Sequence, residues 1–276
     1  MRVIAVADEL PPARGTRGVV MTMGALHAGH VALVRAAREA CDEVVVTIFV
    51  NPLQFNDDAD LERYPRNLDA DLALLEPLGV DFVFAPTVTE VYPAGHPVVT
   101  VASGRLGEIF EGAARPGHFD GMLTVVLKLL NLTRPHIAFF GEKDAQQLIA
   151  VRRMVADLNV GVEVRGVPTV RAGDGLALSS RNAQLPVSQR ADALMLHGAL
   201  IAAASAYREG TALNEVLAAG RSVLSEVPGI AVDYFEALDP ASGEAASGGA
   251  VILAGAVRVG TVRLIDNVAA AGPTAP

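Results

Sequence analysis

The stretch that decides the fold is Gly18-Val19-Val20-Met21-Thr22-Met23-Gly24-Ala25-Leu26-His27-Ala28-Gly29-His30. Its apolar first part predicts a strand, and a helical pattern starts directly after it. A strand that turns into a helix presents free backbone N–H groups and the positive end of the helix dipole. His27 and His30 are three residues apart, so they share one face of the helix start. We expect this turn to bind a polyphosphate, and the first hypothesis is an enzyme that uses a nucleotide.

Two other interpretations fit the histidine pair when its spacing is considered alone. The rings could cap and pack at the start of the helix, or they could bind zinc. Zinc needs at least one further ligand, and the other histidines (His96, His118, His136 and His197) show no clear ligand spacing. The spacing therefore disfavours zinc and leaves both capping and phosphate binding open.

Strand-like and helix-like segments alternate along the first part of the chain. Strands are predicted at residues 18–22, 43–50, 81–85 and 136–140. Helices are predicted at residues 31–41, 69–78, 121–133 and 144–158, where apolar residues share a face. This alternation predicts an α/β fold with a doubly wound, Rossmann-like parallel sheet. Ligands bind such sheets beyond the carboxyl ends of the strands, where the histidine turn and residues 141–144 both lie.

The order of predicted helices and strands changes after about Pro168. Alanine-rich helical runs at 190–208 and 212–226 precede strand-like segments at 231–238, 250–257 and 260–265, with a turn or bulge at Gly260. We therefore predict a Rossmann-like ligand-binding domain over residues 1–169 and a smaller α+β lid domain over 170–276. The two glycines within 170–175 predict a hinge, and the tail from Ala269 is expected to fray.

Composition narrows the class of protein. Of 276 residues, 51% are hydrophobic and 19% are charged, which is enough for a sizeable core. The formal net charge of −9 disfavours nucleic acid as a partner. The lone Cys41 excludes an internal disulfide and fits a reducing compartment. No stretch approaches the roughly 18–20 apolar residues of a membrane span, and the first ten residues do not look like a signal peptide. We expect a cytoplasmic protein.

Two polar segments could add phosphate ligands. Lys143 lies just beyond a predicted strand and could reach a phosphate, while Asp144 could bond a ribose hydroxyl. Taken alone, Asp144 is better interpreted as a helix cap and Lys143 as part of a solvated surface. Ser179, Ser180 and Arg181 could clamp a phosphate from a loop that closes over it. For that segment alone, a polar turn that caps a helix is the stronger interpretation.

Asn51 and Gln54 follow the most buried predicted strand. Their amides could orient a small polar substrate without adding charge. The alternative is turn chemistry around Pro52. The polar run 56–62, with three aspartates, predicts a flap over the site.

Together these segments resemble the pantoate–β-alanine ligase family of the His-x-Gly-His nucleotidyltransferases, relatives of class I aminoacyl-tRNA synthetases. The resemblance extends from about Gly18 to Asn267, and six motifs in the right order make it highly specific. The matching segments are Thr22-Met23-Gly24-Ala25-Leu26-His27-Ala28-Gly29-His30, Phe49-Val50-Asn51-Pro52-Leu53-Gln54-Phe55, Arg63-Tyr64-Pro65-Arg66, Arg115-Pro116-Gly117-His118-Phe119, Phe139-Phe140-Gly141-Glu142-Lys143-Asp144 and Asp174-Gly175-Leu176-Ala177-Leu178-Ser179-Ser180-Arg181-Asn182.

The resemblance implies an AMP-forming carbon–nitrogen ligase of coenzyme A biosynthesis. The carboxylate of (R)-pantoate would attack the α-phosphorus of ATP to give pantoyl adenylate and pyrophosphate. The amine of β-alanine would then give pantothenate and AMP. Mg²⁺ would accompany ATP, and the enzyme would be a homodimer that binds pantoate within residues 1–169.

The resemblance also implies residue roles. His30 would be the catalytic proton donor, and His27, Lys143 and Arg181 would act at the phosphates, with Asp144 near the ribose. The implied ATP-binding residues are Met23, Gly24, Ala25, Leu26, His27, Ala28, Gly29, His30, Gly141, Glu142, Lys143, Asp144, Val170, Leu178, Ser179, Ser180 and Arg181.

For the acid substrates, the resemblance implies that Gln54 and Gln147 hold pantoate and that Gln54 also faces β-alanine. The further candidates are Asn51, Arg115 and His118. Acids near Asp69 and Asp71 are candidates for the metal, but no firm match identifies the metal ligands.

Two positions depart from the family pattern: Met21, where proline is usual, and Ala28, where an acid is frequent. Neither change removes a hydrogen-bond donor. Alternative functions are another nucleotidyl-transferring enzyme such as a cytidylyltransferase, a tRNA-charging enzyme, and a non-catalytic nucleotide-binding module. The Asn51–Gln54 segment disfavours the first, and the acidic charge and short chain disfavour the second. The third is disfavoured because all the candidate phosphate donors are present.

Overall fold

A computed structural model describes residues 1–55 and 58–272, with side chains given for all of these except residues 58–60. Within these ranges a parallel sheet has the strand order β1-β4-β3-β2-β5-β6. Its strands are β1 (Arg2–Ile4), β2 (Arg17–Thr22), β3 (Glu43–Ile48), β4 (Phe82–Phe84), β5 (Ile137–Gly141) and β6 (Glu163–Val167). The order reverses between β2 and β5, which is where doubly wound sheets bind ligands. The predicted Rossmann-like fold is confirmed.

Helices cover both faces of this sheet. They are α1 (Ala28–Ala40), α2 (Asp58–Arg63), α3 (Leu68–Leu75), α4 (Val88–Val91), α5 (Glu111–Ala114), α6 (His118–Thr133) and α7 (Ala145–Asp157). Val19 of β2 packs in one buried cluster with residues of α6 and α7, whereas Val20 packs in another with residues of α1 and α3. Because successive strand residues point to opposite faces, burial of both faces explains the continuous apolar run of β3.

A smaller antiparallel sheet has the strand order β7-β8-β9. It comprises β7 (Ile230–Leu238), β8 (Ala250–Val259) and β9 (Val262–Ala271), and α8 (Arg190–Arg208) and α9 (Leu213–Ser225) pack against it. Gly260 and Thr261 form the turn between β8 and β9, with Val259 paired to Val262. Gly260 has a φ of 58°, which glycine adopts without steric cost. The predicted turn and the predicted second, α+β part of the chain are confirmed.

The structure differs from the predicted elements in several places. The edge strands β1 and β6 were not predicted, because β1 has three residues and β6 is only partly buried. Ala271 pairs with Ala250, so the prediction of a frayed tail is wrong for residues 269–271. Residues 273–276 of that tail, and residues 56–57 of the predicted flap, lie outside the described residues.

The predicted domain boundary between residues 169 and 170 stays a prediction. The parallel sheet ends at Val167, and the antiparallel sheet begins at Ile230. Among the helices of the described residues, none has the length and apolar character needed to cross a bilayer.

Candidate active site

A cleft of about 900 Å³ opens where the carboxyl ends of β2 and β5 face the smaller sheet. Most of the predicted site residues line it: Met23, His27, Gly29, His30, Asn51, Gln54, Gly141, Lys143, Asp144, Gln147, Val170, Leu178, Ser179, Ser180 and Arg181, together with Arg115 and His118. Five predicted residues, Gly24, Ala25, Leu26, Ala28 and Glu142, are adjacent in the chain but do not line the cleft. The fold thus brings the predicted segments to one place, and their individual roles stay predictions.

His27 and His30 cap the start of α1. His27 Nδ1 accepts a hydrogen bond from the Gly29 backbone N–H at 3.1 Å, and His30 Nδ1 accepts one from the His27 backbone N–H at 3.2 Å. The two ring centroids are 4.2 Å apart. A Cβ atom at Gly29 would lie only 2.8 Å from His27 Cε1, so the capped arrangement requires glycine there. The capping interpretation is therefore observed, and it holds both rings at the cleft.

Burial keeps both imidazoles uncharged at neutral pH. It lowers the pKa of His30 to about 3, with His27 as the next contribution. Burial, and after it the Lys143 ammonium, lowers the pKa of His27. Because each Nδ1 accepts a hydrogen bond, the one proton of each neutral ring resides on Nε2. Both Nε2–H groups can therefore donate hydrogen bonds without adding positive charge.

Asp71 holds the backbone that leads to the histidines. Its carboxylate oxygens accept hydrogen bonds from the N–H groups of Ala25 at 3.1 Å and Leu26 at 2.7 Å. Gly24 has a φ of 83°, which glycine adopts without steric cost, whereas the φ of 51° at Ala25 is strained. The buried Asp71 carboxylate stabilises this path. The sequence suggests Asp71 only as a candidate for the metal, because nothing in it pairs α3 with the turn.

Lys143 lies in a single 3-10 turn between β5 and α7. Asp144 precedes α7, but its side chain makes no capping hydrogen bond, so the capping interpretation is wrong for this residue. After burial, the positive charge of Lys143 contributes to lowering the pKa of both His27 and His30. Lys143 and both histidines line the same cleft.

Ser179 and Arg181 follow a tight hairpin over residues 170–178. The Leu178 N–H donates to the Val170 carbonyl oxygen at 3.0 Å and closes the hairpin. Ser179 Oγ accepts from the Arg181 N–H at 3.3 Å, at the start of a short 3-10 helix. The capping interpretation of this segment is observed, and the same residues line the cleft. The hinge predicted within 170–175 stays a prediction.

A chain of buried amides lies at the other end of the cleft. The Tyr92 hydroxyl donates to Asn51 Oδ1 at 2.8 Å, and Asn51 Nδ2 donates to Gln54 Oε1 at 3.1 Å. Asn51 Oδ1 also accepts from the Leu53 N–H at 3.3 Å, so the turn chemistry expected around Pro52 is present. This direction of hydrogen bonding leaves Gln54 Nε2 as the donor end, and it donates one N–H to Met23 Sδ at 3.1 Å. The amide can therefore present its other N–H to an acid.

His118 and Arg115 stand beside Gln54. His118 Nδ1–H donates to the Gln54 carbonyl oxygen at 2.8 Å, and His118 Nε2 accepts from Arg115 Nη1 at 3.0 Å. Burial, with a contribution from the Arg115 guanidinium, lowers the pKa of His118 to about 4. The ring is therefore neutral and positions the Gln54 backbone.

Glu111 and Arg263 line the cleft but were not singled out from the sequence. Arg263 Nη1 and Nη2 donate to the two carboxylate oxygens of Glu111 at 2.7 and 2.8 Å, so the pair joins α5 to β9. Its members are 152 positions apart in the sequence, and residues so far apart along the chain leave no local pattern. No sequence signal could have found them.

Comparison with known proteins shows which family this chain belongs to. Residues 3–269 match the family model described as pantoate-beta-alanine ligase. The pantothenate synthetase of Salinispora arenicola is 57% identical over 264 residues, covering 94% of each chain. The crystal structure of pantothenate synthetase from Thermus thermophilus has a TM-score of 0.92 and 46% identity, covering 97% of this chain and 99% of that one. That of a Francisella tularensis pantoate-beta-alanine ligase, complexed with beta-gamma ATP and beta-alanine, has a TM-score of 0.80 and 34% identity, covering 97% of each.

Proposed function

Because the chain belongs to the pantoate–β-alanine ligase family, and is thus a ligase of pantothenate biosynthesis, we propose that it condenses (R)-pantoate with β-alanine through pantoyl adenylate. ATP is the proposed second substrate, and AMP and pyrophosphate are the proposed co-products. The ligands named for the Francisella tularensis ligase support ATP and β-alanine as substrates here.

One observation carries the proposal: the histidine pair, Lys143 and residues 179–181 line a single cleft at the point where the strand order reverses. Each of these segments supplies cationic groups or hydrogen-bond donors. The buried Asn51–Gln54 amides lie in the same cleft and suit a small polar acid. A triphosphate and an acid bound there would meet between the two groups of residues.

In the proposed first step a pantoate carboxylate oxygen attacks the α-phosphorus of ATP, and the bond from that phosphorus to the pyrophosphate oxygen breaks. Both reactants are anionic and repel one another. Lys143, Arg181 and the N-terminus of α1 offset this repulsion. The Nε2–H groups of the histidines donate to oxygens that gain charge. With a pKa of about 3, His30 is better suited to donate a hydrogen bond than to transfer a proton.

In the proposed second step the β-alanine amine attacks the carbonyl carbon of pantoyl adenylate. The bond from that carbon to the AMP oxygen breaks, and the nitrogen loses its extra proton to solvent. We propose that Gln54 and Gln147 hold pantoate, and that Gln54 also orients β-alanine. Orientation of the reactants supplies much of the rate in such a transfer.

We propose that Mg²⁺ enters with ATP, bound to phosphate oxygens. Among the described residues, no group of three or more His, Cys, Asp or Glu side chains could hold a metal ion. Mg²⁺ commonly binds through substrate phosphates and keeps several waters. Its protein ligands stay unassigned. A cytoplasmic homodimer is also proposed, on the resemblance and composition, and sedimentation of the full chain tests the dimer.

The test of the reaction is pantoate-dependent exchange of labelled pyrophosphate into ATP. Exchange that requires pantoate supports the ligase. Exchange with CTP and a phosphorylated alcohol would instead indicate a cytidylyltransferase. An absence of exchange with every substrate would indicate a non-catalytic module.

A second measurement tests the adenylate. With pantoate labelled by ¹⁸O in its carboxylate, the proposed mechanism transfers one ¹⁸O atom to AMP during pantothenate formation. Appearance of the label in ADP or inorganic phosphate would contradict the adenylate route.

A further inference from the structure

Asp266 and Asn267 are adjacent residues of β9 that contact two different segments of the proposed ATP site. Both line the cleft, on the side opposite the parallel sheet. Neither offers a triphosphate an attractive group. Asp266 carries a carboxylate, and both amide hydrogens of Asn267 are already used in hydrogen bonds, which leaves an acceptor oxygen. Their contribution must therefore pass through the residues that they hold.

Asn267 holds the Lys143 turn. Its Nδ2 donates to two successive carbonyl oxygens, those of Glu142 at 2.9 Å and Lys143 at 2.8 Å. The turn belongs to the parallel sheet, and Asn267 belongs to the smaller sheet. The two hydrogen bonds therefore fix the backbone from which the Lys143 side chain enters the cleft.

Asp266 holds the hairpin that precedes Ser179. Its carboxylate accepts from both terminal nitrogens of Arg171, at 2.7 and 2.8 Å, from His197 Nδ1 at 3.1 Å, and from the Asn267 N–H at 2.8 Å. Arg171 also donates to the Gly175 carbonyl oxygen at 3.2 Å, within the same hairpin. The Asp266 carboxylate is buried, and a paired, hydrogen-bonded charge of this kind has one defined geometry.

We propose that Asp266 and Asn267 act as a positioning pair, which holds the Lys143 turn and the 179–181 segment at a set separation so that both reach one triphosphate. The inference rests on the proposed function. It adds two residues with no direct contact to the phosphates. A displacement of about 1 Å can cost on the order of 100-fold in rate, so loss of either link lowers adenylation.

The first test separates the two half-reactions of an Asn267→Ala variant. Adenylation, measured by pyrophosphate exchange, is expected to fall about 10- to 100-fold. Aminolysis of supplied pantoyl adenylate by β-alanine is expected to stay within about twofold, because that step involves no triphosphate. Equal losses in both half-reactions, or no loss in exchange, would overturn the proposal.

A matched control is Arg221→Ala. Arg221 Nε donates to the Phe235 carbonyl oxygen at 2.9 Å, so this variant also removes a side-chain-to-backbone link of the smaller sheet. Arg221 does not line the cleft. Both half-reactions of the control are expected to match those of the unmodified chain.

A double-mutant cycle tests whether Asn267 acts through Lys143. If it does, Lys143→Ala combined with Asn267→Ala exchanges at the rate of Lys143→Ala alone. Multiplied losses would show that Asn267 acts independently.

Backbone hydrogen–deuterium exchange tests the positioning role without measuring catalysis, so it separates this proposal from the proposed function. In Asn267→Ala, backbone deuterium uptake is expected to rise across residues 141–147 and to stay unchanged in β3. In Arg171→Lys, which keeps the charge but loses the paired contact, uptake is expected to rise across residues 170–181. Unchanged deuterium uptake in both segments would contradict the positioning role of Asp266 and Asn267, even if the chain is active. Raised uptake in these variants, with no exchange activity in the unmodified chain, would support the positioning role and contradict the proposed reaction.

Discussion

The Tyr92 hydroxyl donates a 2.8 Å hydrogen bond to Asn51 Oδ1, at the start of the amide chain that ends at Gln54. Two backbone groups set the orientation of the Asn51 amide: Oδ1 accepts from the Leu53 N–H at 3.3 Å, and Nδ2 donates to the Gly121 carbonyl oxygen at 3.1 Å. Asn51 therefore presents Nδ2 to Gln54 Oε1, and Tyr92 adds a second donor to Asn51 Oδ1. Gln54 Nε2 then donates one N–H to Met23 Sδ and keeps the other for an anionic substrate. A phenol outside the family motifs thus stabilises the buried amide that positions a substrate-binding one.

We expect Tyr92→Phe to raise the KM for pantoate about 5- to 10-fold, with kcat for pantothenate formation changed less than about twofold. The size follows from the loss of one buried hydrogen bond, about 1 kcal/mol. Steady-state kinetics at saturating ATP measure both parameters. The control is Tyr207→Phe, because Tyr207 donates to the Gly249 carbonyl oxygen at 3.0 Å away from the cleft. An unchanged pantoate KM in Tyr92→Phe would contradict this role of Tyr92.

We expect Lys143→Ala to slow pantoate-dependent pyrophosphate exchange by about two to three orders of magnitude, the scale of losing one transition-state donor. The circular dichroism spectrum should not change, because the side chain is at the cleft surface. Arg152→Ala, an exposed change on α7, serves as the control. A near-normal rate in Lys143→Ala would show that the lysine is a surface charge.

We expect Asp71→Asn to reduce the same exchange about tenfold. The amide that replaces the carboxylate cannot accept from both the Ala25 and the Leu26 N–H. The loss of one such hydrogen bond weakens the hold on the backbone before His27 by about 1.4 kcal/mol, which corresponds to a factor of about ten. Asp69→Asn, an exposed change on the same helix, should have no effect. Restoration of Asp71→Asn activity by added Mg²⁺ would indicate a metal ligand and contradict the structural role.

We expect the protein to lose stability as pH falls from about 6.5 to about 4, in part through His118. The pKa of this ring is lowered to about 4 in the folded chain, whereas the unfolded chain has the ordinary value of about 6.5. Within that window the unfolded state binds more protons, so acid favours unfolding. At pH 5, His118 lowers the free energy of unfolding by about 2 kcal/mol relative to high pH, and this loss vanishes above about pH 7.

His118→Gln is the variant that measures this contribution by urea unfolding. Its loss of stability between about pH 8 and about pH 5 should be smaller than that of the unmodified chain by about 2 kcal/mol. The comparison at the higher pH accounts for any change in packing. An identical pH dependence in both chains would show that His118 is not the titrating group.

Sequence patterns predicted the elements that have a clear period. The helix predicted at 190–208 is α8 residue for residue, because an alanine-rich run continues along its whole length. The start of α1 was placed three residues late, because the cap is made by His27, a residue type that helix rules do not favour. Strand β6 was missed because its residues are mostly half-exposed in an edge position.

The motifs also predicted which segments meet, and those at residues 22–30, 49–55 and 139–144 lie where strands of one parallel sheet end. They did not predict what holds these segments. Asp71, Glu111 with Arg263, and Asp266 with Asn267 act on partners at least 45 positions away or on another sheet. Single residues at such separations leave no periodic pattern in the chain.

The amino-acid sequence by itself determined the parallel sheet, the antiparallel hairpin and the family, because alternation of apolar residues and short motifs are local properties of the chain. Only the tertiary structure decided that both histidines are neutral with Nε2 protonated, which way the Gln54 amide points, and which side chains hold the Lys143 turn. These properties depend on burial and on partners from distant segments. Burial and long-range pairing exist only after the chain has folded.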